Sequence, residues 1–408
     1  MADIRPFKAV RPKNGLESRI AALPYDVYSR DEATEKVRGD NLSFLRIDRA
    51  ETQFDRSVDT YDDRVYEKAR ELFLGMLENG EFIEDTEEHY YIYELTMNGR
   101  VQTGIAGVSS IDDYLNNTIK KHENTRADKE ADRFRHVDSL SAQTGPVFLA
   151  CRNSFELEEI VERVKQEEPY FDFLSDDLVR HRGFMISDKR DIDEIRQVFS
   201  EMESVYIADG HHRCASAVKA GLKRREEEPD YTGEEEYNYF LSVIFPEKDL
   251  MIMDYNRVVK DLNGHDKKEI LDYFSQRGTL LRVKDKEPYH PKSKGNIGIY
   301  IDGEWYSFYF DNSFATDDPV RSLDVSRLQD EFLEPLFGIE DPRTDNRIDF
   351  VGGIRGLREL ERRAGIAFAM YPTSIRELFK VADEGMLMPP KSTWFEPKLR
   401  SGLFIHRI

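Results

Sequence analysis

The stretch Val205-Tyr206-Ile207-Ala208-Asp209-Gly210-His211-His212-Arg213-Cys214-Ala215-Ser216-Ala217 constrains this chain more than any other. Apolar residues run into Asp-Gly, and two imidazoles and a guanidinium follow before the chain turns apolar again. That order predicts a buried strand, a tight turn and a helix that ends near Gly221. Gly210 suits the turn because glycine adopts backbone angles that other residues resist. His211, His212 and Arg213 would then fill the first helical turn. Unpaired N–H groups and the positive end of the helix dipole point outward there, which favours an anion. A plain turn with Asp209 as its cap explains the Asp-Gly pair but gives His-His-Arg no purpose.

Composition narrows the function classes. With 408 residues the chain is long enough for two or three domains and a large core. Its 59 Lys and Arg against 80 Asp and Glu leave a formal net charge of −21. That balance argues against nucleic acid or an anionic membrane as partner, although a local basic pocket is compatible with it. No apolar signal core or membrane-length run is found, and Cys151 and Cys214 have neither framework nor metal spacing. The expectation is a cytoplasmic protein in which Cys214 packs as a small apolar residue.

Helical periodicity marks Val65, Ala69, Leu72, Phe73, Met76 and Leu77, with Gly80 as the stop. Ser29 and Glu32 form a capping box. Asn98-Gly99 and Asp302-Gly303 sit between alternating runs and predict two hairpins. Leu42 to Ile47 alternates like a strand, and Lys223 to Glu236 reads as a solvated loop. Strands and helices alternate irregularly, so the fold class is mixed α/β with partly antiparallel sheets. The expected organisation is an N-terminal α+β region over 1–150, a phosphate-binding core over 151–262 and a C-terminal α+β region over 263–408.

Four clusters can carry chemistry. The first is Asp209 to Arg213. The second is Lys121-His122-Glu123-Asn124-Thr125, where Glu123 can act as a general base, and Lys121 and His122 can steady negative charge. Downstream, Asp128, Asp132 and His136 recur at four-residue spacing, which reads as a solvated helix face. The third is Pro389-Pro390-Lys391-Ser392-Thr393, read either as a phosphate-contacting loop or as a rigid connector. The fourth is Pro24-Tyr25-Asp26, a turn placed to line a substrate site. There is no Gly-x-x-x-x-Gly-Lys-Ser/Thr loop and no Gly-x-Gly-x-x-Gly, which argues against standard ATPase and dinucleotide folds. Adjacent His211 and His212 point about 100° apart on a helix, so they make a poor zinc pair.

Arg5-Pro6-Phe7, Pro24-Tyr25-Asp26-Val27, Lys121 to Thr125, Ala208 to Arg213 and Pro389 to Thr393 together resemble the signature stretches of the family called domain of unknown function 1015. That name implies no activity. Asp209-Gly210-His211-His212-Arg213 is similar to the phosphate-binding motif of the ParB/sulfiredoxin-like superfamily. Its members include nucleotide-binding partition proteins, sulfiredoxins that phosphorylate through ATP, and free serine kinases that make O-phosphoserine. The resemblance implies a ParB/sulfiredoxin-like core around residues 205–258, elaborated by further α+β segments. It also implies that His211, His212 and Arg213 hold phosphates. Glu123 is a choice of base made on chemical grounds and is not implied by the resemblance.

The resulting expectation is a phosphotransferase acting on a small hydroxylated metabolite, with free L-serine as the leading acceptor. ATP or ADP would be the donor, and Mg²⁺ would offset the phosphate charge, with Asp209 as a direct or water-mediated ligand. A phosphoserine hydrolase and a nucleotide-binding regulator without turnover are the alternatives. The partners would be small molecules, with neither nucleic acid nor membrane among them; homo-oligomerisation stays open.

Overall fold

The structure, a computed structural model, describes residues 1–285, 287–311, 316–352, 357–363 and 365–408. It forms two compact units. The first comprises Met1–Lys121, Thr125–Leu250 and Pro397–Ile408; the second comprises His122–Asn124 and Met251–Glu396. Among the described residues no helix is long and apolar enough to cross a membrane.

The first unit is built on one mixed sheet of nine strands. These are β1 (Ile4–Arg5), β2 (Tyr90–Met97), β3 (Arg100–Ser110), β4 (Ile119–Lys120), β5 (Val147–Cys151), β6 (Phe171–Leu174), β7 (Arg180–Ile186), β8 (Val205–Asp209) and β9 (Tyr239–Pro246). Their order is β4-β8-β5-β9-β3-β2-β7-β6, with β1 beside β3. The hairpin of β2 and β3 closes at Asn98-Gly99, as its sequence predicts. Two pairs are parallel, β4 with β8 and β5 with β9. Segments expected in separate N-terminal and central regions thus share one sheet.

Five helices matter for the site: α1 (Asp63–Glu78), α2 (Ala127–Leu140), α3 (Phe155–Val164), α4 (Lys189–Glu201) and α5 (His211–Glu227). Ile195 and Phe199 of α4 join Val205, Ile207, Cys214, Ala217 and Phe240 in one buried cluster. This explains why β8 reads as continuously apolar: helices cover it. A second cluster joins Val65, Ala69 and Phe73 of α1 to Phe44, Leu45 and Ile47. Helix α2 packs between α1 and α5.

Two sequence expectations change. Leu42 to Ile47 is not a strand, because Leu45–Asp48 is a short helix. A run this short fits either period, and the helical one buries Leu45, Ile47 and Asp48 together. Helix α5 also runs past Gly221 to Glu227, so Lys223 to Glu227 is helix and not loop. Gly221 is there for space, not for a stop. A Cβ on it would lie 2.3 Å from the Tyr237 carbonyl oxygen and 2.8 Å from Ile111 Cδ1.

The second unit carries an antiparallel sheet of six strands. After a short β10 (Ile252–Met253) come β11 (Tyr255–Val259), β12 (Gly278–Arg282), β13 (Asn296–Ile301), β14 (Glu304–Phe310), β15 (Ile348–Gly352) and β16 (Ile366–Ala369). The sheet order is β12-β14-β13-β16-β11-β15. Asp302-Gly303 closes the predicted hairpin between β13 and β14. Residues 324–337 are helical, with a π turn at Gln329–Leu333. The expected core over 205–258 is divided, since its residues from Met251 onward belong to this unit.

Gly221→Ala should destabilise the protein by about 1–3 kcal/mol through overpacking, read as a lower denaturation midpoint with unchanged slope.

Candidate functional site

The first unit assembles the predicted turn. Strand β8 ends at Asp209, and Gly210 has φ 92, in the left-handed region. Helix α5 begins at once, its first bond running from the Cys214 N–H to the Gly210 carbonyl at 2.9 Å. Gly210 is the N-cap, so the alternative of Asp209 as cap gives way, and no side chain caps the first turn. Asp209 instead engages both oxygens: Oδ1 accepts from the Gly210 N–H at 2.8 Å and Oδ2 from Lys398 Nζ at 2.9 Å. Burial works to raise this carboxyl, but the charges of Lys398 and Arg213 hold it well below the usual range.

Arg213 folds back over the turn. A Cβ at Gly210 would stand 3.0 Å from both Nε and Nη2 of its guanidinium. The backbone angle therefore asks for glycine, and its missing Cβ leaves room for the guanidinium. Nη1 of Arg213 donates to the Pro146 carbonyl at 2.5 Å. Among the described residues its hydrogen-bond partner is thus a carbonyl and not a carboxylate, while its charge acts on nearby Asp209. His211 is buried. His212 Nε2 accepts from the Arg126 N–H at 3.0 Å, so this imidazole braces the segment before α2 with its lone pair. Lys121 is exposed, directly after β4, with its ammonium 5.0 Å from the Tyr114 ring centroid. Because β4 runs parallel to β8, Lys121 leaves the sheet at the same end as Asp209. Burial pushes the Cys214 thiol up, against the weaker pull of Lys121, which suits a packing residue and not a nucleophile.

Beside Arg213 lies a cavity of about 30 Å³ lined by Pro24, Tyr25, Asp48, Arg133, His136, Thr144 and Gly145 among others. A larger cavity of about 320 Å³ shares Tyr25, Asp48, Arg133 and His136 with it, and Asp26 lines it as well. Burial raises the Tyr25 phenol, so Tyr25 is neutral here. The expected solvated face of α2 holds at Asp128, which is exposed, but not further along: Asp132, Arg133 and His136 are 7%, 9% and 4% exposed. Tyr66 donates to Asp132 Oδ1 at 2.7 Å, and Arg133 Nε donates to Oδ2 at 2.9 Å. The Arg133 guanidinium lies 4.1 Å from the Tyr25 ring centroid. Burial works to raise Asp132, yet the Arg133 charge and the Tyr66 hydroxyl keep it low. Burial and the neighbouring Arg133 charge push His136 down, so it is neutral.

The remaining predicted residues belong to the second unit. His122 is buried, with Nε2 3.3 Å from Thr393 Oγ1, and its carbonyl accepts from the Met388 N–H at 2.8 Å. Glu123 follows it, half-buried. The loop at Pro389 to Thr393 is braced from inside: Ser392 is buried and donates to the Pro389 carbonyl at 2.6 Å. Lys391 is exposed with φ 59, and its carbonyl accepts from Arg257 at 3.0 Å.

A family profile described as protein of unknown function (DUF1015) matches residues 4–326. The chain belongs to the DUF1015 family. A comparison with curated proteins returned no match. Among solved structures, this DUF1015 member is similar to SbnI with a C-terminal truncation from Staphylococcus aureus, with a TM-score of 0.37 and 9% identity over 72% of this chain and 84% of that one. It is similar to a free serine kinase in complex with AMP, with a TM-score of 0.35 and 12% identity over 74% and 91%. A conserved hypothetical protein from Pyrococcus furiosus gives 0.34 and 13% over 74% and 95%. Likenesses this distant carry no functional argument.

Lys398, Asp48 and Thr144 went unread in the sequence, and so did the inward face of α2. Lys398 should be decisive for the turn. Lys398→Met is expected to destabilise the fold by about 1–3 kcal/mol at neutral pH, since it strips a partly buried carboxylate of its cation. Because Asp209 titrates below its ordinary value, the pair stabilises above about pH 4 and loses that effect as pH falls further. The gap between wild type and variant in denaturant melts should close below pH 4.

Proposed function

We propose that the turn from Asp209 to Arg213 seats a phosphate and that this DUF1015 protein is a phosphotransferase acting on a small hydroxylated metabolite. The observation that carries this reading is the partnership of an uncapped helix start with Arg213. The N-terminus of a helix of 17 residues points its N–H groups outward, and a guanidinium with no carboxylate hydrogen-bonded to it lies against the same turn. Both favour a doubly charged oxyanion. The adjoining cavities provide room beside that anion for an acceptor. The Asp-Gly-His-His-Arg motif supports a nucleotide donor and free L-serine as acceptor, because it resembles the form found in free serine kinases.

In this reading catalysis comes from positioning and electrostatic stabilisation, as phosphoryl transfer asks little covalent chemistry of the protein. Arg213 and the first-turn amides hold the transferred group. Magnesium, when bound, would neutralise part of the donor phosphate charge. It would meet Asp209 through water, because both carboxylate oxygens already accept from protein donors.

Calorimetric titration with ATP, ADP and O-phosphoserine tests the seat, and phosphorus NMR with ATP and L-serine tests turnover. Wild type is expected to bind a nucleotide and to form O-phosphoserine. Arg213→Ala should weaken nucleotide binding about 10- to 100-fold, the loss of a charge-assisted hydrogen bond, in a variant that still unfolds in one cooperative transition. Binding without turnover points to a regulator, and phosphate release from O-phosphoserine alone points to a hydrolase. A folded wild type that binds none of the three ligands overturns the reading.

A further inference from the structure

We infer that the larger cavity of the first unit receives a primary ammonium group with Asp48 as its counter-ion, so that the acceptor is an amine-bearing small molecule. The second half of this inference rests on the phosphotransferase reading; the first half does not. Asp48 is 5% exposed and lines both cavities. Its Oδ1 accepts from Thr144 Oγ1 at 3.0 Å. Among the described residues Oδ2 has no hydrogen-bond partner.

Among the described residues none of the nearby cations hydrogen-bonds to the Asp48 carboxylate, although the Arg133 charge acts on it. Arg133 bonds to Asp132 at 2.9 Å and reaches Asp48 through its backbone carbonyl, at 3.4 Å. Arg49 bonds to Glu51 at 2.6 Å. Lys129 meets the Tyr61 hydroxyl at 3.2 Å. His136 lies 3.9 Å from Asp48 Oδ1 but turns Nε2 to the Ile47 carbonyl at 3.2 Å, and burial keeps it neutral. Burying a carboxylate is costly unless its oxygens are paired, so the second oxygen of Asp48, on the cavity wall, is an acceptor for a cationic donor. Three donors on an ammonium match such an acceptor, and about 320 Å³ holds a small metabolite.

The test is calorimetry on the full chain with L-serine, ethanolamine and 3-hydroxypropionate, which is serine without its amine, and with ADP in a separate titration. L-serine should bind wild type at least ten-fold more tightly than 3-hydroxypropionate does. Asp48→Asn keeps the shape and the bond from Thr144, and should lose at least ten-fold for L-serine while ADP affinity stays within two-fold. Equal binding of serine and its deaminated analogue overturns the ammonium site, as does undiminished serine binding by a folded Asp48→Asn. Binding of ADP with neither amine probe bound also overturns it and leaves the phosphate seat standing. Asp48-dependent serine binding in a wild type that ignores ADP supports the ammonium site and removes the nucleotide reading. Should the variant fail to fold, the comparison of the two probes on wild type decides.

Discussion

A carboxylate beside a helix start opposes any anion that the helix dipole would favour there, and the pairing of Lys398 with Asp209 offsets that charge. The rest of the turn depends on it. With one oxygen paired to Lys398, Asp209 uses the other to accept from the Gly210 amide. The fixed amide holds Gly210 in the left-handed region, and that geometry starts α5 without a side-chain cap. The missing Cβ leaves room for the Arg213 guanidinium beside the turn. These contacts meet at one turn, so an ion pair between residues far apart in sequence is part of a motif that looks self-contained.

The wall of the cavity follows a related logic. Helix α2 turns Asp132, Arg133 and His136 inward, where an apolar face would be cheaper to bury. A buried ion pair rarely adds stability relative to apolar residues of similar size. Its use here is directional. Tyr66 and Arg133 hold Asp132 from two sides, and Arg133 in turn lies over Tyr25. The ring of Tyr25 is thereby fixed at the edge shared by both cavities. Such a network is expected where a polar ligand must be met by groups already in place.

What could be read from the sequence was local. The order strand, Asp-Gly, helix specified its own turn, and Asn98-Gly99 specified its hairpin, because a few adjacent residues settle each. The mixed α/β class followed from the same short-range signals. The inward face of α2 could not be read that way. Charges at four-residue spacing describe a stripe, and a stripe does not say whether solvent or α1 covers it. Likewise Leu42 to Ile47 satisfied two periods, and the choice was made by burial against Val65 and Phe73, residues outside the run. Lys398 lies in the last segment of the chain with no motif to mark it. The residues that tune charge at the site were hidden because long-range contacts set charge, while backbone shape was written nearby.

That distinction also explains how a chain with net charge −21 can favour an anion at one turn. Exposed acids spread over the surface act through water and salt, and their influence fades over roughly 8 Å at physiological ionic strength. Lys398, Arg213 and the first-turn amides of α5 act within a few ångströms and partly out of solvent, where screening is weak. At the turn the near charges therefore win over the far ones. The global acidity acts instead on approach, slowing anions at long range and favouring ligands that carry a positive group as well. A zwitterion or an amine meets less opposition on the way in than a bare anion does, and Asp48 stands in the cavity wall as the carboxylate able to receive it.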